Sequence, residues 1–173
     1  MNTTHHIIIT GFMGAGKTTV ARALANVLSR ELLDLDQVIA EQEGRTAKEI
    51  IVEDGEDFFR EIETRTLREV LERSLAGVVA LGGGAWTLER NRNLIAGTGA
   101  RTAWLDAPFD LCWERILTSG GGRPLARDKD QALRLHAERQ PLYAMAQLRI
   151  RVDAGKDPED IAAEINQALS RQD

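Results

Sequence analysis

Residues near the start of the chain have the types and spacing of a phosphate-binding loop. Residues 11–18 read Gly-Phe-Met-Gly-Ala-Gly-Lys-Thr and fit the pattern G-x-x-x-x-G-K-[ST]. The glycines let backbone N–H groups turn inward around a phosphate, where a Cβ atom would obstruct them. Lys17 can reach the β- and γ-phosphates, and the Thr18 hydroxyl can ligate Mg²⁺. The motif therefore predicts a site for nucleotide phosphates, between a strand and a helix.

Two acidic residues follow the next predicted strand. This strand covers residues 32–36 and would place Asp34 and Asp36 on one face. One could hold the water shell of Mg²⁺, and the other could accept a hydrogen bond from a substrate hydroxyl. The strand at 77–81 lacks the terminal Asp with which many P-loop proteins position Mg²⁺, which favours these two. The alternative is structural, with Asp36 as the N-cap of the following helix.

A second group of residues has the chemistry to bind an acid. Arg60 is followed one helical turn later by Glu63. Such a pair is either a solvated surface contact or a guanidinium that Glu63 holds toward a substrate carboxylate. Residues 82–84 are three consecutive glycines directly after an apolar strand, and they permit close approach of the backbone to a ligand.

A segment rich in glycine and arginine interrupts the pattern at residues 119–128. Its glycines precede Arg123 and Pro124, which make a stiff basic tip. The segment is either a flexible surface loop or a lid that carries Arg123 to a transferring phosphoryl group.

Strands and helices alternate along the chain and must position these residues. Strands are predicted over 7–10, 32–36, 77–81, 101–106 and 148–152, and helices over 17–29, 38–40, 46–54, 56–73, 87–96, 108–118, 130–146 and 158–169. Thr46 and Glu49 have capping-box spacing, and Pro141 is predicted to kink or end its helix close to Arg139. The alternation predicts one α/β domain with a five-stranded parallel sheet and helices on both faces.

The composition excludes several classes of protein. The chain has 173 residues and a net charge of −5, so nothing suggests an electrostatic nucleic-acid partner. There is no apolar run of membrane-spanning length, which predicts a cytoplasmic protein, and nothing demands more than a monomer. The single cysteine, Cys112, is predicted to pack in a helix, and His5 and His6 are predicted to be exposed.

The ordered motifs resemble the shikimate kinase family from about residue 7 to residue 158. They are GFMGAGKTT, DLD-x-x-I, G-R-T-x-x-E-I, G-E-x-x-F-R-x-x-E, L-GGG-A, RPL and R-x-P-L-Y. The resemblance implies a P-loop NTPase fold of the nucleoside-monophosphate-kinase type, with three α/β/α layers. It implies one kinase domain, 1–173, with a lid at 119–128 and an acceptor-binding helical region at 36–63. The implied reaction moves the γ-phosphate of ATP to the 3-hydroxyl of shikimate, in aromatic amino-acid biosynthesis.

The resemblance also implies roles on the nucleotide side of the site. The residues that would bind ATP through its phosphates are Gly14, Ala15, Gly16, Lys17, Thr18 and Thr19. Thr18 would ligate Mg²⁺, and Asp34 would act on it through water. Arg123 would act on ATP from the lid. The residues that would enclose adenine are Arg115, Lys156 and Pro158.

On the acceptor side, Asp36 would contact the shikimate hydroxyls and orient or deprotonate the attacking one. Arg60 and Arg139 would bind the carboxylate, and Gly82, Gly83 and Gly84 would line the same pocket. Lys17, Asp36 and Arg123 would thus be the catalytic residues. The chain departs from the family pattern at Ile51, commonly aromatic, at Ala47, commonly a larger aliphatic, at Lys156, often Arg, and at Trp86, which is bulkier than expected.

Two alternatives compete with this function. The first is a related P-loop kinase for gluconate or a nucleoside monophosphate, and the second is a nucleotide-binding switch without catalysis. Arg60, Arg139 and Asp36 favour a hydroxy acid, because a nucleotide acceptor would need further arginines for its phosphate. A switch would need neither an acceptor site nor an arginine lid.

Overall fold

A five-stranded parallel sheet forms the centre of the molecule. The computed structural model describes residues 5–73, 75–119 and 128–171. Its strands are β1 (Ile7–Gly11), β2 (Leu32–Asp34), β3 (Val78–Ala80), β4 (Arg101–Asp106) and β5 (Leu148–Arg151). They lie in the order β2-β3-β1-β4-β5, and each neighbouring pair is parallel. The predicted fold class is confirmed.

Helices follow the strands as the crossover connections of a parallel sheet require. They are α1 (Lys17–Leu28), α2 (Leu35–Glu43), α3 (Ala47–Asp54), α4 (Glu56–Leu71), α5 (Glu89–Gly97), α6 (Phe109–Thr118), α7 (Lys129–Tyr143) and α8 (Pro158–Ser170). The predicted helix 87–96 is in fact a 3₁₀ turn, Ala85–Thr87, followed by α5. No helix among the described residues is long and apolar enough to span a membrane.

The central strand β1 explains where the site forms. Ile7, Ile8 and Ile9 are buried on both faces, because β3 and β4 flank the strand and helices cover the sheet. The chain enters β1, passes to β2 and β3 on one side, and then crosses to β4 on the other. Such a reversal opens a crevice at the carboxyl ends of the strands. The P-loop leaves β1 at this crevice.

The end of β2 differs from the prediction. The strand stops at Asp34, and Leu35 already begins α2, so Asp34 and Asp36 do not share a strand face. Asp34 is the N-cap, since its side chain accepts the N–H of Gln37 at 3.2 Å. Asp36 lies in the first helical turn instead of capping it. Thr46 caps α3 in the predicted capping box.

Two further local predictions need correction. Pro141 was predicted to kink or end its helix close to Arg139; α7 does not end there but continues two residues past Pro141, to Tyr143. His6 is buried, although His5 is exposed as predicted. The Nδ1 atom of His6 accepts the N–H of Gly77 at 3.0 Å, which ties the start of β1 to the residue before β3.

Candidate active site

The P-loop glycines have conformations and neighbours that exclude side chains. Gly11, Gly14 and Gly16 all have positive φ angles, of 148°, 80° and 93°. A Cβ atom on Gly14 would lie 2.5 Å from the carbonyl oxygen of Cys112, and one on Gly11 would lie 2.8 Å from that of Leu105. Backbone therefore packs directly on backbone, and the loop is held open toward the crevice.

The P-loop side chains lie where a triphosphate would need them. Lys17 is buried, and its Nζ donates to the carbonyl oxygen of Phe12 at 2.9 Å across the loop. Gly16 caps α1 without a side-chain hydrogen bond, so backbone N–H groups at the helix start can serve an anion. Thr18 Oγ1 donates to Asp34 Oδ2 at 2.5 Å.

This hydroxyl–carboxylate pair fits a magnesium ion. Both groups offer the hard oxygen ligands that Mg²⁺ prefers, and the ion usually completes its shell with phosphate oxygens and water. The described residues hold no cluster of three His, Cys, Asp or Glu side chains arranged for a metal. A site on Thr18 and Asp34 would thus depend on the nucleotide for its remaining ligands.

One cleft of about 300 Å³ joins the two halves of the predicted site. It runs from the P-loop to the glycine turn that follows β3. Its lining residues are Gly14, Gly16, Lys17, Thr18, Thr19, Asp34, Asp36, Leu81, Gly82, Gly83, Arg115 and Ser119. The fold therefore brings the phosphate-binding loop, Asp36, Gly82 and Gly83 into a single cavity, whereas Arg60, Gly84 and Arg139 are not among its lining residues.

The glycine turn supports two of the side chains predicted to bind the acceptor, Asp36 of α2 and Arg60 of α4. A Cβ atom on Gly82 would lie 2.9 Å from Asp36 Oδ1, and one on Gly84 would overlap Arg60, 2.7 Å from its Cζ. Neither glycine has a positive φ. Glycine is needed here because polar side chains rest directly on the backbone.

Arg139 meets the same turn from α7. A Cβ atom on Gly83 would lie 3.6 Å from Arg139 Nη1. Tyr143, fully buried one turn later in α7, donates from Oη to the carbonyl oxygen of Gly83 at 2.5 Å. Burial raises the pKa of Tyr143 to about 12, although the Arg139 charge opposes the shift, so the hydroxyl stays a donor.

Arg60 and Glu63 form a buried pair, and the solvated surface contact considered for them is wrong. They are 9% and 0% exposed, and Arg60 Nη1 donates to Glu63 Oε1 at 2.7 Å. Arg60 Nη2 donates to Glu56 Oε1 at 3.1 Å. Burial raises the pKa of Glu63 to about 7, although the charge of Arg60 opposes it. The guanidinium is thus held in one orientation over the glycine turn.

Two contributing residues were not identified from sequence. Glu56 and Tyr143 belong to the recognised motifs G-E-x-x-F-R and R-x-P-L-Y, but no role was assigned to them. The i,i+4 spacing of Glu56 and Arg60 was a usable signal. The contact between Tyr143 and Gly83 links positions 60 residues apart, and no local pattern indicates it.

The predicted adenine-binding residues are separated in the structure. Arg115 Nη1 donates to the carbonyl oxygen of Gly14 at 3.2 Å and lines the cleft. Lys156 instead pairs with Glu164 and contacts the carbonyl oxygen of Arg151, and neither Lys156 nor Pro158 lines the cleft. Arg123 and most of the predicted lid lie outside the described residues.

Comparisons with known proteins agree on one family. The family model described as shikimate kinase matches residues 13–170. A shikimate kinase of Cereibacter sphaeroides is 38% identical and covers 95% of this chain and 82% of its own. One from Geobacter metallireducens is 40% identical, covering 92% and 89%. The crystal structure of Acinetobacter baumannii shikimate kinase in complex with shikimate has a TM-score of 0.91 at 35% identity, covering 98% and 95%.

Proposed function

This chain belongs to the shikimate kinase family, and we propose that Arg60, Arg139 and Asp36 form its acceptor site for phosphorylation of the shikimate 3-hydroxyl by ATP. The observation that carries the proposal is the glycine turn. Its consecutive residues contact Asp36, Arg139 and Arg60, and it borders the cleft that begins at the P-loop. A carboxylate and a hydroxyl of one small acid can therefore be held at a defined distance from ATP.

Two guanidiniums suit a carboxylate because each can donate paired hydrogen bonds. Arg60 is already oriented by Glu63, so little side-chain entropy is lost when the acceptor binds. Asp36, on the cleft wall between the glycine turn and the P-loop, would accept the hydroxyl proton as the substrate oxygen attacks the γ-phosphorus. The bond from γ-phosphorus to the bridging oxygen breaks, and ADP leaves with that electron pair.

On the nucleotide side, Lys17 would exchange its contact with Phe12 for the β- and γ-phosphates. Mg²⁺, held by Thr18 and through water by Asp34, would neutralise developing charge on the phosphates. Arg123 would supply further positive charge from the lid. Arg115, Lys156 and Pro158 would enclose adenine, with Lys156 first leaving Glu164.

We also propose a monomeric cytoplasmic enzyme with residues 1–173 as one kinase domain. Among the described residues, the large apolar side chains that are exposed, including Val52, Leu75 and Met145, come from well-separated parts of the chain. Light scattering at micromolar concentration would give the mass, and a stable dimer would contradict this proposal.

ADP release from Mg·ATP, with shikimate, gluconate or AMP as acceptor, tests the reaction. Stimulation by shikimate alone is the expected result. Stimulation by gluconate or AMP instead would overturn the acceptor assignment while leaving the nucleotide site intact. Stimulation by none would favour the switch.

Alanine substitutions test the carboxylate assignment. Loss of a charge-assisted hydrogen-bond pair costs about 2–3 kcal/mol, so Arg60→Ala and Arg139→Ala should each raise the shikimate KM by about 30–160-fold. The ATP KM should change little. Arg68→Ala, an exposed arginine on the same helix as Arg60, is the matched control. Equal effects on both KM values would remove the assignment.

A further inference from the structure

Two side-chain hydrogen bonds join the glycine turn to the end of α7. Trp86 Nε1 donates to the carbonyl oxygen of Leu142 at 2.8 Å. Tyr143 Oη donates in the opposite direction, to the carbonyl oxygen of Gly83 at 2.5 Å. We call these two bonds the clasp. Both donors are buried, Trp86 at 4% exposure, so neither bond competes freely with water.

The helix end that the clasp holds is intrinsically weak. Pro141 has no N–H, so the carbonyl of Ala137 lacks its helical donor, and beyond it the carbonyls of Leu142 and Tyr143 are held by the turn N–H groups of Met145 and Ala146 instead of helical ones. Leu142 O accepts the N–H of Met145 at 3.1 Å and the indole N–H of Trp86. The indole thus acts as a side-chain cap on a helix that continues past its proline.

This helix end carries an acceptor residue. Arg139 precedes Tyr143 by one helical turn, so the two lie on the same face of α7. Arg139 Nη1 approaches Gly83, whose carbonyl Tyr143 holds, and the next residue, Gly84, supports Arg60. Any slip of α7 along the turn would change the spacing of the two guanidiniums.

We propose that Trp86 is a positioning residue for the acceptor: through the clasp it sets the distance between Arg139 and Arg60. The inference rests on the proposed acceptor site. Trp86 does not line the active-site cleft but a separate one of about 290 Å³, beside Arg92 and Met145. It therefore acts on the acceptor only through Leu142 and the turn.

The variant Trp86→Phe tests this role, because it keeps an aromatic ring and removes the N–H donor. Loss of this buried hydrogen bond should raise the shikimate KM about 5–10-fold. kcat and the ATP KM should stay within about twofold. Tyr143→Phe, which removes only a hydroxyl, should shift the same parameter in the same direction.

Trp113→Phe is the matched control. Trp113 lies in α6, stacked on Phe109 at 6.2 Å, and takes no part in the clasp. Its replacement loses the same indole and should leave the shikimate KM unchanged. Thermal unfolding of each variant, followed by circular dichroism, separates positioning from general destabilisation.

The outcomes distinguish the clasp from the site it serves. A normal shikimate KM in Trp86→Phe and Tyr143→Phe, with a raised KM in Arg139→Ala, would overturn the clasp and keep the site. Parallel changes in kcat and both KM values would also overturn it. An unchanged KM in Arg139→Ala would instead remove the acceptor site. Should Trp86→Phe fail to fold, Tyr143→Phe alone decides.

Discussion

The two glycine-rich turns of the active site use the same residue for different physical reasons. In the P-loop, Gly11, Gly14 and Gly16 have positive φ angles, and Gly11 and Gly14 also pack against neighbouring backbone. In the turn after β3, residues 82–84 have no positive φ angle. Gly82 and Gly84 pack against the ends of Asp36 and Arg60, whereas Gly83 lies nearest to the backbone N of Met13, with Arg139 Nη1 slightly farther away. The P-loop is thus packed backbone against backbone, and the predicted acceptor side consists mainly of side chains resting on backbone.

This difference predicts how substitutions in each of the two turns affect the protein. A backbone site cannot adapt locally, so changes there should cost both stability and nucleotide binding. Side chains can move aside at low cost, so changes beneath them should alter acceptor binding while the fold survives.

The largest expected effect is that of Lys17→Ala. Removing the cation that would stabilise the transferring phosphoryl group should lower kcat by about 1000-fold or more. Coupled measurement of ADP release with shikimate checks this, and circular dichroism should show an intact fold. Turnover close to that of the parent enzyme would contradict the P-loop mechanism.

A pair of glycine substitutions, one in the P-loop and one in the turn after β3, tests the difference between the two turns. Gly14→Ala places a Cβ atom against the Cys112 carbonyl in a positive-φ conformation and should cost about 1–3 kcal/mol of unfolding free energy, with weakened ATP binding. Gly84→Ala displaces the Arg60 guanidinium, which is buried against Glu63. It should raise the shikimate KM about tenfold and cost less unfolding free energy than Gly14→Ala, because the displaced atoms are the end of a flexible side chain and not backbone.

Urea unfolding and steady-state kinetics of both variants give the answer. Equal losses of stability in the two proteins would show that the turns do not differ in the way proposed. Gly97→Ala is a control, since Gly97 lies at the end of α5 with open space around its Cα.

A smaller effect is expected on the pH dependence of the shikimate KM, through the buried Glu63. Its pKa of about 7 means that Glu63 takes up a proton below neutrality, which removes a negative charge facing Arg60, Asp36 and Arg139. The shikimate KM should therefore rise a few-fold from about pH 6 to pH 8. Glu63→Gln should flatten this dependence, whereas Glu61→Gln, an exposed residue of the same helix, should not.

The raised pKa of Glu63 also makes the free energy of unfolding depend on pH. Glu63 has a folded pKa above its ordinary value of 4.5, so the unfolded chain releases the proton first as pH rises. Its contribution to stability is present below pH 4.5 and is lost as pH rises through about 7. Chemical unfolding of the parent and Glu63→Gln at several pH values would show whether their difference grows in this direction.

The smallest effect is expected on the pH dependence of the melting temperature, through His6 at the start of β1. Burial lowers the pKa of His6, so its stabilising contribution is present above pH 6.5 and is lost as pH falls through the lowered folded value. Asn can accept the Gly77 N–H without titrating. The melting temperature should therefore fall less in His6→Asn than in the parent protein when the pH is lowered from about 7 to 5.5. If the melting temperature depended on pH in the same way in both proteins, this role of His6 would be contradicted.

The positions of Asp34 and Asp36 show which features short sequence patterns can predict. Both carboxylates were located at the sheet edge, and both line the cleft. The prediction that they share one strand face was wrong because Asp34 accepts the Gln37 N–H and caps α2 two residues earlier than the strand pattern indicates. A hydrogen bond over three residues thus produced an arrangement that neither alternative predicted, with Asp34 and not Asp36 as the cap.

By itself, the sequence determined the phosphate-binding loop and the alternation of strands and helices, and it supplied the residues proposed for the acceptor site. These features depend on contiguous segments or on ordered motifs, in which residue type and spacing carry the information. Only the tertiary structure decided that Arg60 and Glu63 are buried, that Gly82 and Gly84 lie against Asp36 and Arg60, and that Trp86 donates a hydrogen bond to Leu142. Each of these depends on which elements pack together across the sheet, and burial and long-range hydrogen bonds arise only from that packing.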